Sequence, residues 1–376
     1  MGFITIISVI LLYLAGNLYV FWRLWIMIPP NPFSYAALIV FASVAVLSLF
    51  IFVFACDAMP IKVSRAFFAI GASWLFTLLY FVIIFAVNDL IGLSNKVLHF
   101  MPSDALTRYT KDNWIGLIFV VGFIALLMIC GYLKYQWKVR MEVPIHTEKN
   151  IGNRESIRII AISDLHLGYG IDKDEFEGWI ATINKEKPDV IVIAGDIIDN
   201  SVRPLNDNKF YESFSKFEAP LGVYACLGNH EYMSGIDKSL DFLSKTGITV
   251  LKDSHIMIDS TLCIIGRDDY FNMKRKSLQS LTASLSDSVY TILLDHQPHN
   301  IEEPAQYDID LVVAGHTHQG QVWPLSMVTK QLYKLDHGHK KVKQTDVVVS
   351  SGIGIWGGKF RIGTQSEYYV IDVSKK

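Results

Sequence analysis

The sequence predicts a chain in two parts, with four transmembrane helices followed by an α/β domain built on two sheets. Residues 3–22, 33–56, 66–87 and 114–133 are long apolar runs that contain no charged side chain. After residue 150 the apolar runs become short and rich in β-branched residues, and helix-like stretches separate several of them. Apolar residues make up 51% of the 376 residues, a share that is high for a wholly soluble protein.

Each of the four long runs can cross a membrane as a helix. About 20 residues, rising 1.5 Å each, span the ~30 Å hydrocarbon core of a bilayer. The first run lacks a basic start and a small-residue cleavage site, so we expect a span rather than a signal peptide. These runs predict a membrane domain over residues 1–140, joined by a linker over residues 141–156 to the rest of the chain.

Basic residues flank the spans on both sides of the membrane. On the side that carries the C-terminal domain they are Lys62, Arg65, Lys134, Lys138 and Arg140. On the opposite side they are Lys96, Arg108 and Lys111. The positive-inside rule therefore predicts, by a small margin, that the C-terminal domain is cytoplasmic.

Six short apolar runs after residue 150 are expected to be strands. They cover residues 157–162, 190–194, 222–227, 291–294, 311–314 and 347–350. Helices are expected over residues 174–187 and 238–246, between the early strands. Strands that alternate with helices predict a largely parallel sheet, and later strands without helices predict a second, mixed sheet.

Polar motifs follow five of these strands directly. Their carboxylates, amide and imidazoles are Asp164, His166, Asp196, Asp199, Asn229, His230, His296, His316 and His318. Side chains at the carboxyl ends of neighbouring strands converge in one crevice, so we expect these residues to meet. Carboxylates that meet without Arg or Lys repel one another, which predicts divalent cations between them.

The type of metal follows from the type of ligand. Mixed oxygen and imidazole ligands suit Mn, Fe, Co or Zn, and the absence of cysteine from the motifs argues against a structural zinc site. A carboxylate shared by two cations would hold them ~3.5–4 Å apart. The formal net charge of −2 gives no reason to expect a nucleic acid as partner.

The ordered motifs D-x-H, G-D-x-x-D, G-N-H-E, H and G-H-x-H resemble the signature of calcineurin-like metallophosphoesterases. The resemblance covers residues 157 to about 373. It implies a catalytic domain over residues 157–376 with a four-layer α/β fold, in which two mixed sheets are flanked by helices. It also places the site at the carboxyl edge of the sheets.

The resemblance implies a role for each motif residue. It assigns Asp164, His166 and His318 to one metal ion, Asn229, His296 and His316 to a second, and Asp196 to both. His230 resembles the histidine that protonates the leaving oxygen, and Asp199 resembles the carboxylate that orients it. The implied reaction is attack on phosphorus by a water that the two cations activate.

Segment 323–335, WPLSMVTKQLYKL, follows the last motif and has two interpretations. It is either ordinary core or an apolar lip beside the site that contacts a bilayer or an acyl chain. In addition, the pair Asp268 and Asp269 is expected in a turn, GIGIWGG at 352–358 in another turn, and residues 360–362 in a strand.

The function expected from these observations is hydrolysis of a phosphodiester or pyrophosphate bond at a membrane, which would be a bacterial plasma membrane. The architecture resembles a subgroup described as transmembrane proteins with a metallophosphoesterase domain, and some relatives cleave UDP-2,3-diacylglucosamine in lipid A synthesis. The partners expected are thus the lipid bilayer and a phosphate-ester substrate. Alternatives are a phosphoesterase for a soluble substrate, a non-catalytic scaffold, and a membrane sensor or transporter with a regulatory phosphoesterase domain. Beyond Asn17 the runs hold few polar residues, which weighs against an ion pathway.

Overall fold

The computed structural model describes residues 3–102 and 113–376. The chain divides between Gly131 and Tyr132 into two compact units. The first unit is mostly helical, and the second contains two sheets.

Four long apolar helices make up most of the described part of the first unit. They are α1 (Phe3–Met27), α2 (Pro32–Ala55), α3 (Ile61–Leu98) and α4 (Trp114–Gln136), whose last turn belongs to the second unit. All four are long and apolar enough to span a membrane. The start of α2 is encoded locally, because Asn31 accepts a hydrogen bond from the Ser34 backbone nitrogen at 2.9 Å. Each predicted span is therefore part of a helix.

Helices α1 and α3 extend beyond the charge-free runs and bring charged residues into the first unit. The guanidinium of Arg23 on α1 lies 3.3 Å from a carboxylate oxygen of Asp89 on α3. Asp89 also accepts a hydrogen bond from the Tyr19 hydroxyl. The side chain of Asn17 accepts one from the Trp74 indole at 2.8 Å. Polar side chains of α1 thus face polar side chains of α3.

The side of the membrane on which the second unit lies stays a prediction. Two of the basic residues that weigh against a cytoplasmic location, Arg108 and Lys111, lie outside the described residues.

The second unit alternates strands and short helices. Its strands are β1 (Lys138–Thr147), β2 (Ser156–Ile162), β3 (Val190–Ala194), β4 (Val223–Cys226), β5 (Thr249–Val250), β6 (Ser254–Met257), β7 (Leu262–Gly266), β8 (Tyr290–Leu294), β9 (Leu311–Ala314), β10 (Gly338–Val342), β11 (Thr345–Val349) and β12 (Ser366–Lys375). Its helices are α5 (Lys173–Asn184), α6 (Arg203–Asp207), α7 (Tyr211–Phe214), α8 (Asn229–Met233), α9 (Ile236–Ser244), α10 (Leu278–Thr282) and α11 (Leu325–Leu332).

The strands form two mixed sheets of six strands each, as predicted. The first has the order β1-β12-β2-β3-β4-β5, with only β12 and β2 antiparallel. The second has the order β10-β11-β9-β8-β7-β6. Its three central pairings are parallel, and the pairings at its two ends are antiparallel.

Alternating side chains on the strands create the layers. In β2, Ile160 and Ile162 pack in a core that includes Phe176 of α5, whereas Ile159 and Ala161 pack in a core shared by both sheets. The second sheet contributes to a further core on its other face with residues of α10. Strands buried on both faces read as continuous apolar runs, which explains why the sequence revealed them. The unit therefore has four layers: helices, two sheets and helices.

The first part of the segment predicted as a linker, residues 141–147, belongs to the first sheet. Strand β1 pairs in parallel with β12 over its whole length, from Lys138 opposite Ser366 to Thr147 opposite Lys375. Buried residues alternate with exposed ones in its second half, including Val143 and Ile145. This period of two is the pattern of a strand with one buried face, so the sequence contained a signal for it.

Two later segments also differ from the expectation. Residues 360–362 do not form a strand; a single bridge joins Ile362 to Val322. The core interpretation of segment 323–335 is wrong for most of its apolar residues. Large side chains of the segment that stand exposed are Trp323, Leu325, Met327, Val328 and Leu332.

Candidate metal centre and its acid

The structure brings together all the polar residues that the motifs supplied. They lie after the carboxyl ends of β2, β3, β4, β8 and β9, in both sheets. Contacts link them into one cluster of carboxylates and imidazoles, most of it buried. The expected convergence at the strand ends is therefore present.

The backbone of several cluster residues has an uncommon conformation. A positive φ is found at Asp164 (54°), His166 (47°), Asp196 (49°), His316 (72°) and His318 (48°). Residues other than glycine adopt this left-handed region infrequently, at a cost of about 1–3 kcal/mol each, and such residues concentrate at functional sites. The fold therefore sustains backbone strain to aim these side chains at one another.

One group of candidate ligands consists of Asp164, His166 and His318. The Nε2 atoms of the two imidazoles are 3.0 Å apart. Asp164 Oδ1 lies 3.5 Å from Nε2 of His318 and 3.9 Å from Nε2 of His166. Three ligand atoms thus face one small volume, as the resemblance implied for the first ion.

A second group consists of Asp196, His296 and His316, with Asn229 beside them. His296 Nε2 is 3.1 Å from Asp196 Oδ2, and His316 Nδ1 is 2.8 Å from the Asn229 side-chain oxygen. Asp196 Oδ2 also lies 3.8 Å from Nε2 of His166, in the first group. Asp196 is therefore the carboxylate that lies between the two groups.

These residues fit divalent cations. His296 Nδ1 is 2.7 Å from the Ala194 carbonyl oxygen, so Nδ1 carries a proton and Nε2, which faces Asp196, is the atom available to a cation. Within the described part of the chain, buried His296 Nε2 has no hydrogen-bond partner. A buried polar atom without a partner is costly, and metal coordination removes that cost. The donor set of carboxylate and imidazole suits Mn, Fe, Co or Zn.

His230 and Asp199 lie beside both groups. Asp199 Oδ1 is 3.3 Å from His230 Nδ1 and 3.5 Å from His166 Nδ1, so one carboxylate faces two imidazoles. Burial lowers the pKa of His230, but the negative charges of Asp196 and Asp199 outweigh burial and raise it to about 9. The backbone nitrogen of His230 donates to Asp196 Oδ1 at 2.8 Å, which fixes both residues.

Burial lowers the pKa of other imidazoles in the cluster. It brings the pKa of His316 to about 3, with the charge of His296 adding to the effect. It also holds the pKa of His318 well below its usual range, with the charge of His166 as the next cause. Neutral imidazoles are the form that binds metals.

Glu231 is a fully buried support of the site. Glu231 accepts hydrogen bonds from the backbone nitrogens of Asp196, Ile198 and Gly228, which ties the loops after β3 and β4 together. Its position in G-N-H-E was the only sequence signal for this role.

Arg361 is fully buried behind the first group. Its guanidinium donates to the carbonyl oxygens of His318, Ser351, Gly352 and Gly354. Burial lowers its pKa to about 10. No local pattern marks a residue whose partners are backbone carbonyls from several loops, so sequence reasoning missed it.

The pair Asp268 and Asp269 lies in a loop after β7, as expected, but both side chains are buried. Asp268 accepts from the Tyr232 hydroxyl, and Asp269 accepts from the Gln297 amide at 2.9 Å. Tyr232 and Gln297 follow the G-N-H-E and D-H motifs, so this loop supports the site from the second sheet.

Gly228→Ala should disturb the cluster directly. A Cβ at this position would overlap Asp196 Oδ1 and the Asp196 backbone nitrogen. We expect a lower unfolding temperature, corresponding to overpacking of about 1–3 kcal/mol, and weaker Mn²⁺ binding in a calorimetric titration. The matched control is Gly178→Ala on α5, where a Cβ has nothing within 4 Å. That variant should be unchanged or more stable, because Ala favours helices. Equal behaviour of the two variants would contradict the packing argument.

The chain is similar in sequence to known proteins. The calcineurin-like phosphoesterase family matches residues 157–320. An uncharacterized metallophosphoesterase of Aquifex aeolicus is 32% identical over 263 residues, which cover 68% of this chain and 99% of that protein. Another, from Campylobacter jejuni, is 29% identical over 274 residues, or 71% of this chain and 72% of that protein.

A third relative is named as a transmembrane protein. The Danio rerio protein named transmembrane protein with metallophosphoesterase domain is 31% identical over 245 residues. The match covers 61% of this chain and 55% of the zebrafish protein. The chain has the ordered motifs and the four-layer fold, and the Aquifex aeolicus relative, 32% identical, is matched over almost its whole length. The chain therefore belongs to the calcineurin-like metallophosphoesterases.

Proposed function

We propose that the chain is a two-metal hydrolase that cleaves a phosphodiester or pyrophosphate bond of a substrate held at a membrane. The observation that carries the proposal is the position of Asp196, between His166 of one group and His296 of the other. A carboxylate shared by two groups of ligands is what a two-metal site needs.

The distances within the cluster support the proposed roles. Asp164, His166 and His318 would hold one cation, Asn229, His296 and His316 the other, and Asp196 both. When bound, the cations would supply Lewis-acid activation of a water and neutralise charge on the phosphoryl oxygens.

The acid is His230. Asp199 faces Nδ1 of His230, which leaves Nε2 for the substrate's leaving oxygen. As the water oxygen attacks phosphorus and the bond to the leaving oxygen breaks, His230 delivers its proton to that oxygen. Its buried position, with 7% of its surface exposed, limits competition from bulk water.

The substrate is proposed from the chain's architecture. Four apolar helices precede the catalytic unit, so an amphipathic, lipid-linked phosphate ester is the substrate class that would benefit from this anchor. A nucleotide diphosphate lipid such as UDP-2,3-diacylglucosamine is one member of that class. A small soluble ester is the alternative.

Removal of metal should abolish hydrolysis. The test uses the full chain, purified in detergent, because a fragment that begins after β1 would lack a strand of the first sheet. After treatment with a chelator, we expect no hydrolysis of bis(p-nitrophenyl) phosphate, and recovery when Mn²⁺, Co²⁺ or Zn²⁺ is added. The unfolding temperature should rise with the same ions, because bound ligand stabilises the folded state.

The same preparation separates the substrate classes. It is offered p-nitrophenyl phosphate, bis(p-nitrophenyl) phosphate, UDP-glucose and UDP-2,3-diacylglucosamine in mixed micelles. A preference for the lipid-linked compound supports the proposal, and a preference for a soluble ester favours the alternative. Activity that persists after the chelator has removed all metal would contradict the two-metal reaction.

A further inference from the structure

Helix α11 exposes its large apolar side chains and buries a serine. A surface helix normally buries its apolar stripe and exposes its polar residues. In α11 the buried residue is Ser326, and half-buried Thr329 donates a hydrogen bond to buried Asp336 at 3.0 Å. Leu325, Val328 and Leu332, at spacings of three and four on one face, have 41%, 50% and 71% of their surface exposed.

Both ends of this helix are fixed close to the metal-ligand cluster. Gln321, three residues after His318, donates from its side-chain amide to the carbonyl oxygens of Trp356 and Gly358. At the other end, the ring of Tyr333 lies 6.3 Å from the ring of His316, centre to centre. The exposed apolar stripe therefore belongs to a helix that begins seven residues after His318 and ends next to Tyr333, the ring neighbour of His316.

The chain itself indicates what covers this stripe. Only Trp137 separates α4, which is long and apolar enough to span a membrane, from β1 of the catalytic unit. The catalytic unit thus follows this apolar helix directly in the sequence. Tryptophan at the end of a span is typical of the boundary between lipid and water, and Trp137 has 73% of its surface exposed.

Charge next to the stripe is also suited to a lipid surface. Lys330 on α11 is exposed, and Lys334 follows the helix with 62% of its side chain exposed. Lys334 pairs with Glu302 at 2.8 Å, and exposed Lys340 and Lys343 belong to the hairpin of β10 and β11 that follows the helix in the sequence. Lysines beside exposed Leu and Trp are the composition of segments that bind anionic lipid headgroups.

We propose that the apolar stripe of α11 (Leu325, Val328 and Leu332) inserts into the surface of an anionic lipid bilayer and brings the catalytic rim to a lipid-borne ester. The second part of this proposal rests on the proposed function, and the first part does not. Apolar side chains at the rim can then enter the same layer that holds the lipid part of the substrate.

Insertion is tested without any reaction. The full chain is reconstituted in vesicles of phosphatidylcholine and phosphatidylglycerol, with Cys56 and Cys130 replaced by Ala because neither is buried. An environment-sensitive fluorophore is attached to Val328→Cys. We expect blue-shifted emission and loss of fluorescence when the vesicles contain a lipid with a nitroxide on its acyl chain. Both effects should weaken at high salt, which screens the attraction between the lysines and anionic headgroups. They should also weaken without phosphatidylglycerol, because the anionic headgroups are then missing.

The control places the same fluorophore at Gln279→Cys, an exposed polar position on α10. Its emission should not respond to the nitroxide lipid. Equal quenching at both positions, or none at Val328→Cys, overturns the insertion. Shielding of the fluorophore from a water-soluble quencher without quenching by the lipid points to a protein partner, such as a second copy, and also overturns it.

Delivery of substrate is tested with the triple variant Leu325→Ser, Val328→Ser and Leu332→Ser. We expect about tenfold or greater loss of turnover on a lipid-borne ester, because burial of even one large apolar side chain accounts for roughly that factor in binding. Turnover of bis(p-nitrophenyl) phosphate should be unchanged, since no cluster residue is altered. The control variant Met273→Ser changes an apolar side chain that is 93% exposed on another loop.

The outcomes distinguish a failure of substrate delivery from a failure of the proposed function. Equal loss on both esters with an unchanged unfolding temperature overturns delivery, and so does an unchanged rate on the lipid-borne ester. If the unmodified chain hydrolyses no ester in the presence of metal, the proposed function fails, while the quenching result still decides insertion.

Discussion

Asp196→Asn should reduce hydrolysis to background and leave the protein with fewer than two bound metal ions. Asp196 Oδ2 lies within 4 Å of imidazoles of both ligand groups, so the carboxylate charge offsets the repulsion between two cations. Asparagine keeps the shape and can still accept the hydrogen bond from the His230 backbone nitrogen through its oxygen. The fold should therefore be retained, and the loss of hydrolysis and of bound metal should result from the missing charge alone.

Metal content by plasma mass spectrometry, the unfolding temperature and the rate with bis(p-nitrophenyl) phosphate are measured on the same preparation. The matched control is Asp287→Asn, which makes the same change at an exposed turn between α10 and β8. It should keep both ions and the full rate. Two ions at full occupancy together with an undiminished rate in Asp196→Asn would end the assignment of Asp196 as the shared ligand.

His230→Ala should lower the rate by about 10²- to 10⁴-fold while both metal ions stay bound, because general acids contribute rate enhancements of this order. The loss should depend on the leaving group. The leaving group p-nitrophenolate departs without a proton, so hydrolysis of its esters should slow only a little. An alkyl alcohol needs the proton from His230 to depart, so hydrolysis of its esters should slow most. The measurement is the slope of log rate against leaving-group pKa in the two proteins.

The steeper slope expected for His230→Ala distinguishes an acid from a residue that only supports the fold. His255→Ala, a change at an exposed position on β6, is the control and should leave rate and slope unaltered. A uniform loss across all leaving groups, or the loss of one metal ion, would show that His230 acts as a ligand or a structural residue instead.

Local signals in the sequence identified six of the twelve strands of the second unit. Strands β3 and β9 match the predicted runs 190–194 and 311–314, since strands buried on both faces are continuously apolar. The edge strand β1 was taken for a linker because it is buried on one face only, and its partner β12 lies more than 200 residues away. When the partner strand is that distant, the only local signal in the sequence is the alternation of apolar and polar residues along the strand.

The same difference between local signals and distant contacts applies to the site. By itself the sequence determined the family, the four spans and the cluster of carboxylates and imidazoles, because residue type and strand-end position suffice for these. It did not reveal Arg361, whose partners are backbone carbonyls of separate loops. Only the tertiary structure showed that α11 buries Ser326 and exposes Leu332, since a stripe in the sequence does not state which face meets the domain. That choice is made by the neighbours a helix acquires in the fold.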